Sequence, residues 1–175
     1  MTPTPEWLQG KLFERRLVFV TGRLDAALAA QATAQIVALD AVGDAPIDIV
    51  LNISDGTLEA VFALIDVLDA ARATVRVQCQ GQVSGAAIGV LAAADHRVAT
   101  LHTSFRLTAP TTELCGRPEQ IARQSEQHRH LLWRLQARLA KASGRPPEDV
   151  ADDMRRGRYL DASEALGYGL IDGIR

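Results

Sequence analysis

The chain has 175 residues, a formal net charge of −2 and an apolar fraction of 47%. This length and composition predict one globular domain over residues 1–175 with a single core. The charges are interspersed and nearly balanced, which excludes the basic footprint of a nucleic-acid-binding or anionic-membrane-binding protein. No apolar run is long enough to span a bilayer. Two cysteines without metal-ligand spacing predict reduced thiols in a cytoplasmic protein and no metal site.

The first half of the chain alternates between the strand period and the helix period. Three apolar runs predict strands: "RLVFVTG" (16–22), "IDIVLNI" (47–53) and "TVRVQCQ" (74–80). Asp25 is expected to cap a helix over 26–42, and "TLEAVFALIDVLDAAR" (57–72) predicts a second helix. Repeated β-α-β units of this kind predict an α/β fold with a parallel sheet and right-handed crossovers.

The segment "GQVSGAAIGVLAAAD" (81–95) follows the third strand and predicts a sharp turn into an Ala-rich helix. Such a turn is a common way to present a nucleophilic hydroxyl beside backbone N–H donors, and Ser84 is the candidate hydroxyl. The ordinary alternative is that Ser84 caps the helix or packs in the turn. Short strands are predicted next, around "HRVAT" and "SFRLTA".

The last third of the chain is predominantly helical. A long helix is predicted over 117–142, with Pro118 in its first turn and "SGRPP" after its end. Its strongly polar first half predicts that it projects from the core. A short helix in "PEDVADDMRRG" and the closing "DASEALGYGLIDGI" complete the pattern. No linker divides the chain into domains.

These segments resemble the proteolytic subunit of the Clp protease, ClpP, over almost the whole chain. The matching stretches are "LFERRLVFVTG", "DIVLNIS", "GQVSGAAIGVLAAA", "RLQARLAKASG" and "RRGRYLDASEALGYGLIDGI". The resemblance implies a ClpP/crotonase-like fold of repeated β-β-α units, with a projecting handle helix in region 111–142. It also implies heptameric rings that stack through this helix, and an AAA+ unfoldase that feeds unfolded chains to serine sites in the chamber.

The residues at the matching catalytic positions do not form a serine triad. Serine peptidases need a hydroxyl, an imidazole that takes its proton, and a carboxylate that orients the imidazole. The resemblance places the nucleophile at Gly85, the histidine at Thr108 (or Ala109, if the gap shifts) and the aspartate at Asp153. Ser84 lies one residue too early to replace the nucleophile. Without an imidazole to orient, Asp153 is expected to pair with a nearby arginine or to cap a turn.

The oxyanion region and the amino-terminal segment also depart from the family pattern. The family carries Ser-Pro-Gly-Gly after the second strand, whereas this chain has a shorter "ISDGTL". Gly56 and Ala86 are therefore expected to be remnants of the oxyanion site. The segment over 1–15 is shorter than the family's axial segment, which puts gating and unfoldase contact in question.

Three functions are compatible with these residues. The resemblance favours a catalytically degenerate, ClpR-like subunit that forms rings alone or with an active ClpP paralogue and an AAA+ unfoldase. An active endopeptidase of unusual geometry would use Ser84 with His102 or with a base from another subunit. A crotonase-like acyl-CoA enzyme would share the β-β-α repeat and use backbone N–H donors without a serine. The handle helix favours a ClpP-like subunit, and no cofactor is expected.

Overall fold

The structure, a computed structural model, describes residues 5–112 and 114–175. Residues 1–4 of the predicted amino-terminal segment and position 113 of the predicted handle region lie outside the described residues. The helices are α1 (Glu6–Glu14), α2 (Ala26–Val42), α3 (Leu58–Ala70), a 3₁₀ helix (Gly85–Ala93), α4 (Pro118–Ser143), α5 (Pro147–Arg156) and α6 (Ala162–Tyr168). The strands are β1 (Leu17–Leu24), β2 (Ile47–Gly56), β3 (Val75–Ser84), β4 (His96–Ala99), β5 (Ser104–Leu107), β6 (Arg158–Leu160) and β7 (Gly173–Ile174).

The seven strands form one mainly parallel sheet, which confirms the predicted α/β class. Its central path runs β1-β2-β3-β4-β7, and every pair on this path is parallel. Strand β3 is shared between two neighbours, because Arg76–Cys79 pairs with β4 and Gln82–Ser84 pairs with β5. Strand β6 then pairs antiparallel with β5. The carboxyl ends of β2, β3 and β5 therefore lie next to one another.

Strands β2 and β3 extend beyond their predicted ends at 53 and 80. Gly81 has φ +67°, and the register between β2 and β3 shifts before Ile53 pairs with Val83. The left-handed backbone at Gly81 interrupts the period-2 pattern but not the pairing, since glycine adopts this conformation without steric cost. The additional residues bring Gly56 and Ser84 to adjacent strand ends.

Side-chain caps begin both helices on the sheet, at Asp25 as predicted and also at Thr57. Asp25 accepts a hydrogen bond from the backbone N–H of Leu28 at 2.9 Å, and Thr57 accepts one from Ala60 at 3.3 Å. Such caps typically contribute about 1 kcal/mol each. Helix α3 buries seven side chains, among them Leu58, Leu64 and Ile65. Because α3 starts directly after β2, its packing fixes the turn that carries Gly56.

The predicted Ala-rich helix is a 3₁₀ helix that begins at Gly85. Residues 85–91 are all buried, and small side chains allow close contact with neighbouring elements. Leu135 of α4 lies where a Cβ atom on Gly89 would be, so the two helices are in contact at this glycine. The core thus packs the long helix directly against the segment that follows the candidate nucleophile turn.

Helix α4 has one anchored half and one projecting half, as predicted for a handle helix. Its buried side chains all lie in the second half, from Leu131 onward, and Arg138 there forms an ion pair with Asp69 of α3. In the first half, over 118–130, side chains are exposed or half-buried. Trp133 is 62% exposed and stacks on His130 at 6.1 Å between ring centroids. None of the described helices is long and apolar enough to cross a membrane.

Arg97 links β4 to the carboxyl-terminal segment. Its guanidinium donates to the Asp172 carboxylate at 2.6 Å and to the Gly169 carbonyl at 3.1 Å, and its side chain is only 15% exposed. The hydrogen bond from Arg97 lowers the pKa of Asp172 below its usual value of 3.8, against the opposing effect of burial. The charged form of Asp172 therefore stabilises the folded state.

We predict that Arg97→Ala lowers the free energy of unfolding by about 2 kcal/mol at neutral pH, because it removes a charge-assisted pair and leaves a carbonyl unbonded. The charged Asp172 carboxylate contributes to the free energy of unfolding above pH 3.8. This contribution is lost as the pH falls through the lower pKa that Asp172 has in the folded state. The difference between wild type and variant should therefore narrow on acidification. Urea unfolding at several pH values measures this difference.

Arg76→Ala, which removes a more exposed pair with Asp48, is the control and should cost less than about 1 kcal/mol. Equal losses in both variants would contradict the prediction.

Candidate functional site

Two turns at the carboxyl ends of β2 and β3 form the centre of the candidate site. The pairing of Ile53 with Val83 places 54–56 and 84–86 at the same level of the sheet. Each turn leads into a buried helix, so its backbone N–H groups lie at a helix start. This is an arrangement in which backbone donors can stabilise an oxyanion.

Ser84 is the last residue of β3 and is only 2% exposed. Its hydroxyl donates a hydrogen bond to the backbone carbonyl of Ser54. Ser84 occupies the cap position of the 3₁₀ helix, but its side chain makes no capping hydrogen bond. Of the two ordinary roles expected for Ser84, the structure therefore shows packing in the turn and not capping, because the hydroxyl links the two turns.

Gly85 occupies the turn with φ +66°, a left-handed conformation that side chains rarely adopt. A Cβ atom built on Gly85 would lie 2.7 Å from Oδ1 of Asp55. The same oxygen accepts a hydrogen bond from the backbone N–H of Gly56 at 2.8 Å. The position that matches the family's nucleophile therefore has no side chain, and a carboxylate lies in the adjacent space.

The two predicted oxyanion remnants differ in their surroundings. Gly56 is buried, and its N–H already donates to the Asp55 carboxylate. A Cβ atom on Gly56 would lie 3.0 Å from Cβ of Leu24, so β1 leaves room for little more than a glycine here. Ala86 is completely buried at the start of the 3₁₀ helix. Sequence reasoning missed Asp55, although its only signal, a carboxylate in place of the family's proline in "ISDGTL", was visible.

The histidine position lies at the end of β5. Thr108 directly follows the strand and is half-buried, and the neighbouring Ala109 N–H donates to the Met154 carbonyl at 3.1 Å. His102 is exposed and precedes the strand. Ser84 is in register with Arg106, two residues or about 7 Å beyond the first residue of β5. The structure therefore does not bring His102 to Ser84.

Asp153 lies in α5 and forms the predicted ion pair with an arginine. Nη1 of Arg158 is 3.1 Å from its Oδ2 atom, and the Tyr168 hydroxyl donates to the same oxygen at 3.0 Å. Burial, with a further contribution from the bond to Asp153, raises the pKa of Tyr168 well above its usual value. The Asp153 carboxylate is thus held by two partners that have no role in a triad.

The sheet register places a different residue opposite Thr108. Leu107 pairs with Arg158 in the antiparallel β5–β6 ladder, and continuing this register by one residue sets Thr108 opposite Gly157. Gly157 has φ +71° and no side chain. The Arg106 guanidinium, which stacks over Tyr159 at 5.0 Å, lies 3.7 Å from where a Cβ on Gly157 would be. The geometry therefore favours Gly157 over Asp153 as the position that faces Thr108, and sequence spacing missed it.

Within residues 5–112 and 114–175, the contacts of Ser84, Thr108 and Asp153 do not form a hydrogen-bonded relay. No hydrogen bond joins Ser84 to a histidine, and no acid lies opposite Thr108 in the β5–β6 register. What persists is the backbone of the site: two adjacent turns with donors at helix starts. This backbone, the sheet and the projecting helix α4 define the ClpP/crotonase class of folds.

Comparison with known proteins identifies the family. The Clp protease family matches residues 6–175. Proteolytic subunit 2 of the ATP-dependent Clp protease from Streptomyces coelicolor is 31% identical, over 94% of this chain and 77% of that subunit. Proteolytic subunit 3 from Rhizobium etli is also 31% identical, over 98% of this chain and 90% of that subunit. The chain therefore belongs to the Clp protease family as a homologue of its proteolytic subunits, and this match favours ClpP over a crotonase-like enzyme.

We predict that a fluorophosphonate probe does not label the wild-type protein, because the Ser84 hydroxyl is buried and bonded to a carbonyl rather than to a base. Ser84→Ala should leave labelling unchanged but lower the free energy of unfolding by about 1 kcal/mol through loss of the hydrogen bond between the turns. In-gel fluorescence and urea unfolding measure the two effects. Clear labelling that disappears in Ser84→Ala would establish Ser84 as a nucleophile.

Proposed function

We propose that this protein is a non-catalytic subunit of a Clp-type protease ring, a pseudoprotease with a structural or regulatory role. The observation that carries the proposal is Gly85, which has no side chain at the nucleophile position and faces the Asp55 carboxylate. Thr108 supports it, because a hydroxyl does not accept a proton near neutral pH as an imidazole does. The proposed role requires neither a metal nor an organic cofactor.

Retention of the assembly elements supports a role in a ring. ClpP family members assemble into rings that work with AAA+ unfoldases. Helix α4 keeps 26 residues, a proline in its first turn and the left-handed Gly144 after its end. Its exposed first half, over 118–130, is the part that extends away from this subunit's core. We propose that it mediates self-association in a heptameric ring or between rings, either alone or with an active ClpP paralogue and its unfoldase.

The cysteines agree with a cytoplasmic location. Cys79 and Cys115 are both free, as expected in a reducing compartment. Burial raises the pKa of the Cys79 thiol to about 12, so this residue is unreactive.

The alternative of an active endopeptidase would need the Ser84 hydroxyl to leave the Ser54 carbonyl and find a base, and no described contact favours that rearrangement.

Native mass spectrometry tests the proposed role directly. We expect a ring mass for the protein alone, or a mixed ring after incubation with an active ClpP paralogue. A monomeric mass under both conditions would refute the role in a ring. Peptidase activity of the protein alone, measured with a fluorogenic peptide, would refute the non-catalytic part.

A pair of substitutions at Ser125 tests the contribution of the projecting half of α4. Ser125→Pro should abolish the assembly, because a proline in a helix interior costs about 3 kcal/mol and breaks the helix there, while the anchored half remains packed. Ser125→Ala is the matched control and should assemble normally. Near-ultraviolet circular dichroism verifies that both variants keep their core. An unchanged native mass for Ser125→Pro would show that the projecting half is not the contact.

A further inference from the structure

The Asp55 side chain is held by the turn in which it lies. Its Oδ1 atom accepts a hydrogen bond from the N–H of Gly56, and the carboxylate is half-buried between the ends of β2 and β3. Among the described residues it forms no ion pair, although arginines are frequent elsewhere on the surface. The backbone N–H of the next residue, Gly56 at the end of β2, therefore holds this carboxylate without help from a basic side chain.

The position of this oxygen coincides with the space that catalysis would need. A side chain on Gly85 would begin 2.7 Å from Oδ1 of Asp55, closer than such atoms approach in folded proteins. The donor that Oδ1 engages belongs to Gly56, the retained glycine of the oxyanion region. One oxygen thus lies in the space of a side chain at position 85 and at the same time satisfies a backbone donor, so Asp55 would have to move before that space could be filled.

We propose that the remnant oxyanion site is a carboxylate-binding site whose ligand is the chain's own Asp55. This internal ligand excludes a side chain at position 85 and excludes carbonyl or carboxylate groups from outside. The inference deepens the proposed non-catalytic role and rests on it: the site is occupied as well as lacking a nucleophile. The hydrogen bond from Ser84 to the Ser54 carbonyl holds the two turns together and keeps the ligand in place.

A thiol introduced at position 85 measures this occupancy. In a Cys115→Ser background the only native thiol is Cys79, which is buried and has a pKa raised to about 12. Gly85→Cys is then compared with Gly85→Cys/Asp55→Gly and Gly85→Cys/Asp55→Asn, and the rate of alkylation by iodoacetamide is followed by intact mass. Asp55→Gly should raise this rate about tenfold or more, because it removes the side chain that occupies the space beside the introduced thiol.

The asparagine variant separates steric occupancy from charge. Asparagine has the shape of aspartate and keeps an oxygen for the Gly56 donor, so its alkylation rate should stay close to that of the Asp55 protein. If the asparagine variant were alkylated as fast as the glycine variant, only the charge of Asp55 would slow alkylation of the thiol. That result would overturn the proposal that the Asp55 side chain occupies the site. Equal rates in all three proteins would overturn it as well.

A stability cycle keeps the proposal testable if the thiol variants fold poorly. Gly85→Ala should lower the midpoint of urea unfolding less in the Asp55→Gly background than in the wild type, because only the wild type contains the opposing carboxylate. Equal shifts in the two backgrounds would refute the internal ligand. Neither negative result would touch the non-catalytic role, which is tested separately by native mass and by peptidase activity.

Discussion

The parallel pairing of β2 with β3 determines the geometry of everything at the candidate site. Both strands lie inside the sheet, and Ile53 opposite Val83 sets the level at which each strand ends. Because this register is fixed by buried side chains, a slip of one residue would turn the core positions toward the opposite face. The Ser84 hydroxyl reaches the Ser54 carbonyl, and Asp55 reaches Gly85, only because these two ends are level.

The fold around the candidate site does not depend on a side chain at position 85. Gly85 keeps the left-handed turn without a side chain, and the segment after it is held by burial and by the contact of Leu135 with Gly89. Asp153 is bonded to Arg158 and Tyr168, so its carboxylate contributes to packing at the carboxyl-terminal end. The sheet, the two turns and helix α4 are therefore held by contacts that do not require a serine triad.

Local sequence signals predicted the elements well where the physical cause is local. The limits of α2 follow from the Asp25 cap and from Gly43, and the end of α4 follows from Gly144. Pattern alone also indicated the parallel sheet and the projecting half of α4. The extension of β3 past Gly81 was not predictable in this way, because its partner strand β5 lies more than twenty residues further along the chain.

The contacts of the site were less accessible to sequence reasoning because they join distant segments. For the Ser84 hydroxyl the sequence left three roles open, namely cap, packing in the turn or nucleophile, and it could not show the bond to a residue thirty positions away. The family resemblance placed the acid at Asp153, whereas the β5–β6 ladder sets Gly157 opposite Thr108. The absence of an imidazole at the predicted histidine position stays a prediction from the sequence, because the family resemblance places either Thr108 or Ala109 there and neither is a histidine.

The contact between Asp55 and Gly85 also makes the effect of a substitution at position 85 depend on the residue at position 55. Substitution of Gly85 by serine alone would place a side chain against the Asp55 carboxylate in a left-handed turn. The substitution would therefore lower the stability of the fold. Substitution of Asp55 alone would leave the backbone N–H of Gly56 without this hydrogen-bond partner. The residues at positions 55 and 85 are therefore coupled, because either substitution alone leaves an unfavourable contact or an unbonded donor.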